Sequence, residues 1–184
     1  MWSRCYAKLD MDTAEKALLL GRLLASRDTF TAALANVSEV QARFKPSADR
    51  WSILEIVEHV AVAEHGMYRL ITAYFEPLDE PRFGRENEFL ERLGLDRSNG
   101  WEAPERVRPK GRYASLSDAA RQFTANRDRT ITFVRDCQDD LRARVVNHLA
   151  GQITGQECLA ILITHPLRHL DQIRELQADP QYPA

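Results

Sequence analysis

Apolar residues recur at intervals of three and four along most of the chain, and polar stretches divide them into four blocks. In the first, Leu18, Leu19, Leu23, Phe30 and Leu34 share one face, which predicts a helix over residues 12–36. The second opens at "WSILEIVEHV", where Ser52 and Glu55 form an S-x-x-E capping box. Ile53, Ile56, Val57, Val60, Met67, Leu70, Ile71 and Tyr74 carry its stripe, and Pro77 stops it. The third starts near Ser117, with Ala120, Phe123, Ile131 and Val134 on its inner face. The fourth opens at Thr154, where Thr154 and Glu157 make a second capping box. It continues through Leu159, Leu162, Ile163, Leu170 and Ile173 to about Gln177. No alternating apolar run is long enough for a convincing strand, and "ARVVNHL" reads as a short extended piece at most. The expected fold class is all-α, a four-helix bundle, with residues 1–184 forming one domain.

The connections are uneven. Residues 77–115 hold Pro77, Pro81, Pro104, Pro109 and four glycines, with one helix-like patch, "RENEFLERLGL". So long a connection in a compact chain is either a functional cover or a mobile segment, and it makes a long crossover between the second and third helices. Trp101 is its best docking residue, because an aromatic in a polar loop tends to find a surface to cover.

Composition narrows the class. The 184 residues carry a formal charge of −2 with acids and bases interspersed, so no basic block marks a nucleic-acid surface. The longest apolar runs are too short to cross a bilayer. "MWSRCYAKLD" lacks the apolar core of a signal peptide. The three cysteines, Cys5, Cys137 and Cys158, are odd in number and far apart, which argues against a disulfide framework. The expected compartment is the cytoplasm.

Chemistry concentrates in the histidines: His59, His65, His148, His165 and His169. At roughly 100° per residue, His59 lies on the shoulder of the second helix's stripe. His65 falls on the outer face with Glu58 and Arg69. On the fourth helix His165 and His169 flank the edge of the stripe. Their i, i+4 spacing lets two rings meet one ion. The same spacing also suits an ordinary surface pair, and periodicity cannot say whether His59 faces them. Pro166, between the two, removes a helical hydrogen bond to the carbonyl of Leu162. Glu64 falls near the centre of the second helix's apolar stripe. It is a weak catalytic candidate, either orienting an imidazole or paired with an arginine.

"WSILEIVEHVAVAEHGMYRLI" and "GQITGQECLAILITHPLRHLDQI" resemble the DinB/YfiT-like superfamily. That resemblance spans nearly the whole chain outside 77–115 and includes the "PSADRWSI" entry to the second helix. It implies a bundle in which one histidine of the second helix and an H-x-x-x-H pair of the last bind a divalent metal, commonly nickel or zinc. The matching positions are His59, His165 and His169. Pro166 departs from the pattern, in which a helix-compatible residue usually follows the first histidine of the pair.

Three imidazoles with no obligatory carboxylate suit a single borderline metal and leave a position open to a water or a substrate atom, whose proton the ion makes more acidic. There is no H-E-x-x-H and no E-x-x-H, which argues against a zinc protease helix and a di-iron bundle. Three functions stay open. One is a metal-dependent transferase using a low-molecular-weight thiol cosubstrate, implied by related families of this fold. Another is a metal-dependent hydrolase of a small amide or ester. The last is a non-enzymatic metal-binding bundle. The expected partner is a small-molecule substrate, with no nucleic acid and no membrane, and a homodimer is compatible with this.

Overall fold

The structure, a computed structural model, describes residues 11–83, 85, 95 and 102–184. Five helices make up most of it: α1 (Thr13–Ala32), the short α2 (Glu39–Arg43), α3 (Ile53–Ala73), α4 (Leu116–Asp136) and α5 (Gly155–Gln177). Each helix start is made by a local side chain. Asp12 accepts from the Ala14 and Glu15 amides, and Ser115 accepts from the Asp118 amide. The two expected capping boxes, Ser52 with Glu55 and Thr154 with Glu157, are both formed, and Ser38 with Gln41 adds a third at α2. Among the described residues, no helix is long and apolar enough to cross a membrane.

The four long helices pack in the cyclic order α1–α4–α3–α5. Consequently α1 and α3 lie on one diagonal, and α4 and α5 on the other. The expectation of a purely helical fold needs correction. Strands β1 (Glu76–Pro77), β2 (Arg144–His148) and β3 (Gly151–Thr154) form a small antiparallel sheet in that order. Strands β2 and β3 make a hairpin closed by Leu149 and Ala150, with His148 opposite Gly151. Gly151 has φ 88°, a conformation glycine adopts without strain. The strands escape the sequence pattern because Val145 and Val146 are adjacent yet both buried, so the in–out alternation is lost.

The core has two parts. One gathers Leu23, Met67, Ile71, Val134, Leu141 and Leu162 with the sheet residues Val146 and Ile153. The other gathers Phe30, Ile53, Val57, Phe123, Leu170 and Ile173. Along every long helix the two parts are separated at one level, and that level is polar. There the fully buried Arg127 donates from Nε and Nη2 to the two oxygens of Glu64, at 2.8 and 2.9 Å. Its Nη1 donates to the carbonyl of Leu23 at 3.0 Å and to Ser26 Oγ at 2.6 Å. Its Nη2 also reaches the carbonyl of Leu162 at 2.5 Å. This is the carbonyl four residues before Pro166, which the proline leaves without its helical donor. α5 therefore continues through Pro166, with the missing N–H replaced by a guanidinium from α4. All five N–H donors of Arg127 are used, and one side chain ties together four helices.

Candidate metal centre

The groove between α3 and α5 brings His59 to the histidine pair. His59 (4% exposed) and His169 (6%) are buried, and His165 is half-buried. The three Nε2 atoms converge. His165 Nε2 stands 3.2 Å from His59 Nε2 and 3.1 Å from His169 Nε2, and all three rings offer a nitrogen within 4.8 Å of one another. The outer nitrogens are held. His59 Nδ1 lies 2.9 Å from the carbonyl of Val107, which can only accept, so Nδ1 carries the proton. His169 Nδ1 lies 2.7 Å from Gln172 Oε1 in the same sense. Both rings therefore aim an Nε2 lone pair at His165, and the partner on the far nitrogen fixes tautomer and orientation, as around metal-bound imidazoles. The Trp51 ring covers His59, with ring centres 5.1 Å apart.

This donor set fits a divalent ion. Nitrogens bound to one ion at about 2.0–2.1 Å stand roughly 3 Å apart, close to the spacings found. Neutral imidazoles suit zinc, nickel, copper or iron, and three protein donors leave room for a further ligand.

The remaining candidates fall elsewhere. His65 is exposed. His148 ends β2, accepts from the Ala150 amide and lines the cleft outside the cluster. Glu64 is paired with Arg127 and accepts from Thr130 Oγ1, so its carboxylate is committed to the polar layer. Cys158 is buried core, where burial and the nearby Glu64 push its thiol up and keep it protonated. Gln172 holds His169. Cys5, Trp101 and the interior of the patch at 85–95 lie outside the described residues.

Glu58 corrects the helical-wheel reading that placed it outside with His65. It is 1% exposed, because the connection folds across that face of α3. Its carboxylate accepts from the backbone amides of Lys110 and Arg112 at 2.7 and 3.1 Å, and from Arg112 Nη1 at 2.6 Å. This clamp presses a 3-10 turn, Glu105–Val107, over the site and delivers the Val107 carbonyl to His59. Residues 102–104 and 106–108 line a cleft of about 930 Å³ that opens onto all three histidines.

Burial pulls the His59 pKa below its ordinary value, against the opposing pull of the Val107 carbonyl. That of His165 is pulled well below by burial, and further by the repulsion it would meet from protonated His169 and His59 and from the cations Arg168 and Arg127. Both rings therefore stay neutral in the folded chain where the unfolded chain takes up protons, near pH 6.5. The unfolded state then binds more protons, and stability declines as pH falls below about 6.5. Urea midpoints of chelator-treated protein should be lower at pH 5.5 than at 7.5. The difference should shrink in His165→Gln, and an equal drop in that variant would contradict the assignment.

A helical bundle with a three-histidine cluster in one inter-helix groove defines the class. The sequence pattern of the DinB superfamily matches residues 22–173, and the chain belongs to that family. The chain is 26% identical over 145 residues to the uncharacterized protein YuaE of Bacillus subtilis (strain 168), covering 78% of this chain and 88% of that one. The fold is similar to that of YfiT from Bacillus subtilis, with a TM-score of 0.58 and 15% identity, over 96% of this chain and 91% of that one. YfiT is described as a probable metal-dependent hydrolase with an unusual four-helix bundle topology.

Proposed function

We propose that this protein is a divalent-metal-dependent enzyme acting on a small molecule, with His59, His165 and His169 as the metal ligands and nickel or zinc as the ion. The observation that carries this reading is the convergence of three Nε2 atoms at the floor of an open cleft, two of them with their far nitrogens held by acceptors. Once bound, the ion would supply Lewis acidity, lowering the pKa of a water or thiol at its open position. The chain's own part is to hold the imidazoles neutral, to aim them, and to roof the cleft with the turn at 105–107.

Between the two reactions, the reading favoured is transfer with a low-molecular-weight thiol cosubstrate. Among the described residues no carboxylate joins the histidine cluster, and Glu64 is locked to Arg127. A substrate that brings its own nucleophile suits such a site better than a water that needs a base. The second reading is hydrolysis of a small ester or amide, which the description of YfiT favours. Metal-loaded protein should consume a thiol and an electrophile such as chlorodinitrobenzene together. Faster turnover of model esters or amides, with no thiol dependence, would replace the transferase with the hydrolase. Neither activity in protein that retains its metal would leave a binding bundle.

A further inference from the structure

Glu58 stands one residue before His59 on α3, and it is buried. A buried carboxylate is costly unless hydrogen bonds and a counter-charge answer it. For Glu58 they come from the two residues flanking Gly111. Gly111 has φ 70°, a conformation that suits glycine, and the amides on either side of it both donate to the one carboxylate. Arg112 carries the hold onward. Its Nη1, already on Glu58, also donates to the carbonyl of Arg108 at 2.9 Å, and its Nη2 donates to that of Arg106 at 3.5 Å. One guanidinium thus takes the carbonyls on both sides of Val107, and the carbonyl between them accepts from His59 Nδ1 at 2.9 Å. Glu58 and His59, neighbours along the chain, are joined a second time through the roof of the cleft. His169 is held differently. Its Nδ1 donates to Gln172, three residues on in the same helix, so the roof plays no part in its orientation.

We propose that Glu58 is a positioning residue of the histidine site. Through Arg112 it holds the 105–107 turn so that the Val107 carbonyl keeps the His59 proton on Nδ1 and the lone pair of Nε2 free for the ion. Which nitrogen of an imidazole carries the proton is set by the hydrogen bond the other side makes. With the turn released, nothing fixes the proton to Nδ1, and the Nε2–H form presents no lone pair to the cluster. Metal binding and docking of the roof are then coupled, each strengthening the other by the same factor. The gain in metal affinity rests on the metal-enzyme reading; the control of the His59 tautomer does not.

The test uses the full chain with nitrogen-15 in its histidine rings, first after chelator treatment. Long-range nitrogen–proton spectra of the parent should show His59 protonated on Nδ1. Glu58→Gln and Arg112→Ala should each shift His59 toward the Nε2–H form and leave His169 unchanged, a contrast that a general loss of stability would not produce. Arg112 is exposed, so its variant keeps the fold even where the loss of the buried Glu58 charge does not, and circular dichroism checks both. In the same variants nickel affinity, read by competition with a chromophoric chelator, should fall roughly tenfold or more. Nickel added to the parent should slow hydrogen exchange of the Lys110 and Arg112 amides, which donate to Glu58. A His59 tautomer unmoved in Arg112→Ala, an equal shift at His169, or a shifted His59 with nickel affinity unchanged overturns the proposal. A parent that takes up no nickel but shows the shift confined to His59 would defeat the metal reading and leave Glu58 as the residue that positions His59.

Discussion

Arg127→Met should lower the melting temperature by roughly 10–15 °C. Breaking a buried ion pair from one side costs about 3–5 kcal/mol, and each kcal/mol moves the midpoint of a chain this size by about 2–4 °C. The loss is large because the Glu64 carboxylate stays behind, buried without its arginine, and the carbonyl of Leu162 loses its donor. The link to Pro166 gives a sharper test. An alanine at 166 restores the N–H that a helix aims at the carbonyl of Leu162. Pro166→Ala should therefore recover about 1 kcal/mol more in the Arg127→Met background than in the parent. Equal effects in the two backgrounds, read by urea unfolding, would show that the guanidinium does not substitute for the missing amide.

The second large effect concerns the metal. Protein purified without an affinity tag and supplied with nickel or zinc should hold about one ion per chain, and His59→Ala/His165→Ala/His169→Ala should hold almost none. A ligand present at a hundred times its Kd stabilises the folded state by about 2.7 kcal/mol, so the metal-dependent rise in melting temperature should vanish in the triple variant. Gln172→Ala keeps all three ligands but frees His169 Nδ1 from its acceptor, and should weaken metal binding by about 10–100-fold. Elemental analysis showing full occupancy in the triple variant would remove these histidines from the site.

Much of this geometry was legible in the chain itself where the determinants are local. The capping residues Ser52 and Thr154 mark the starts of α3 and α5, because a cap needs partners only two or three residues away. The i, i+4 pairing of His165 and His169 follows from helix pitch. Spacing alone left His59 unassigned, and family resemblance, not periodicity, singled it out. Glu64 fell between readings for a similar reason: a carboxylate on an apolar stripe signals a buried partner without saying which of 25 basic residues provides it.

The sequence by itself determined the four long helices, most of their apolar faces and the two imidazoles one turn apart, since each is set by interactions within a few residues; Leu18 and Tyr74, read as part of those faces, are exposed. Tertiary structure decided the rest. It set the α3–α5 groove that brings His59 Nε2 within 3.2 Å of His165, and the use of Arg127 to satisfy a carbonyl opened by a proline 39 positions away. It also buried Glu58 under the connection, placed the Val107 carbonyl on His59, and paired the strands. These contacts join residues distant along the chain. Each exists only because packing two apolar stripes lowers the free energy enough to bring the polar partners together, and no local pattern records which partners those will be.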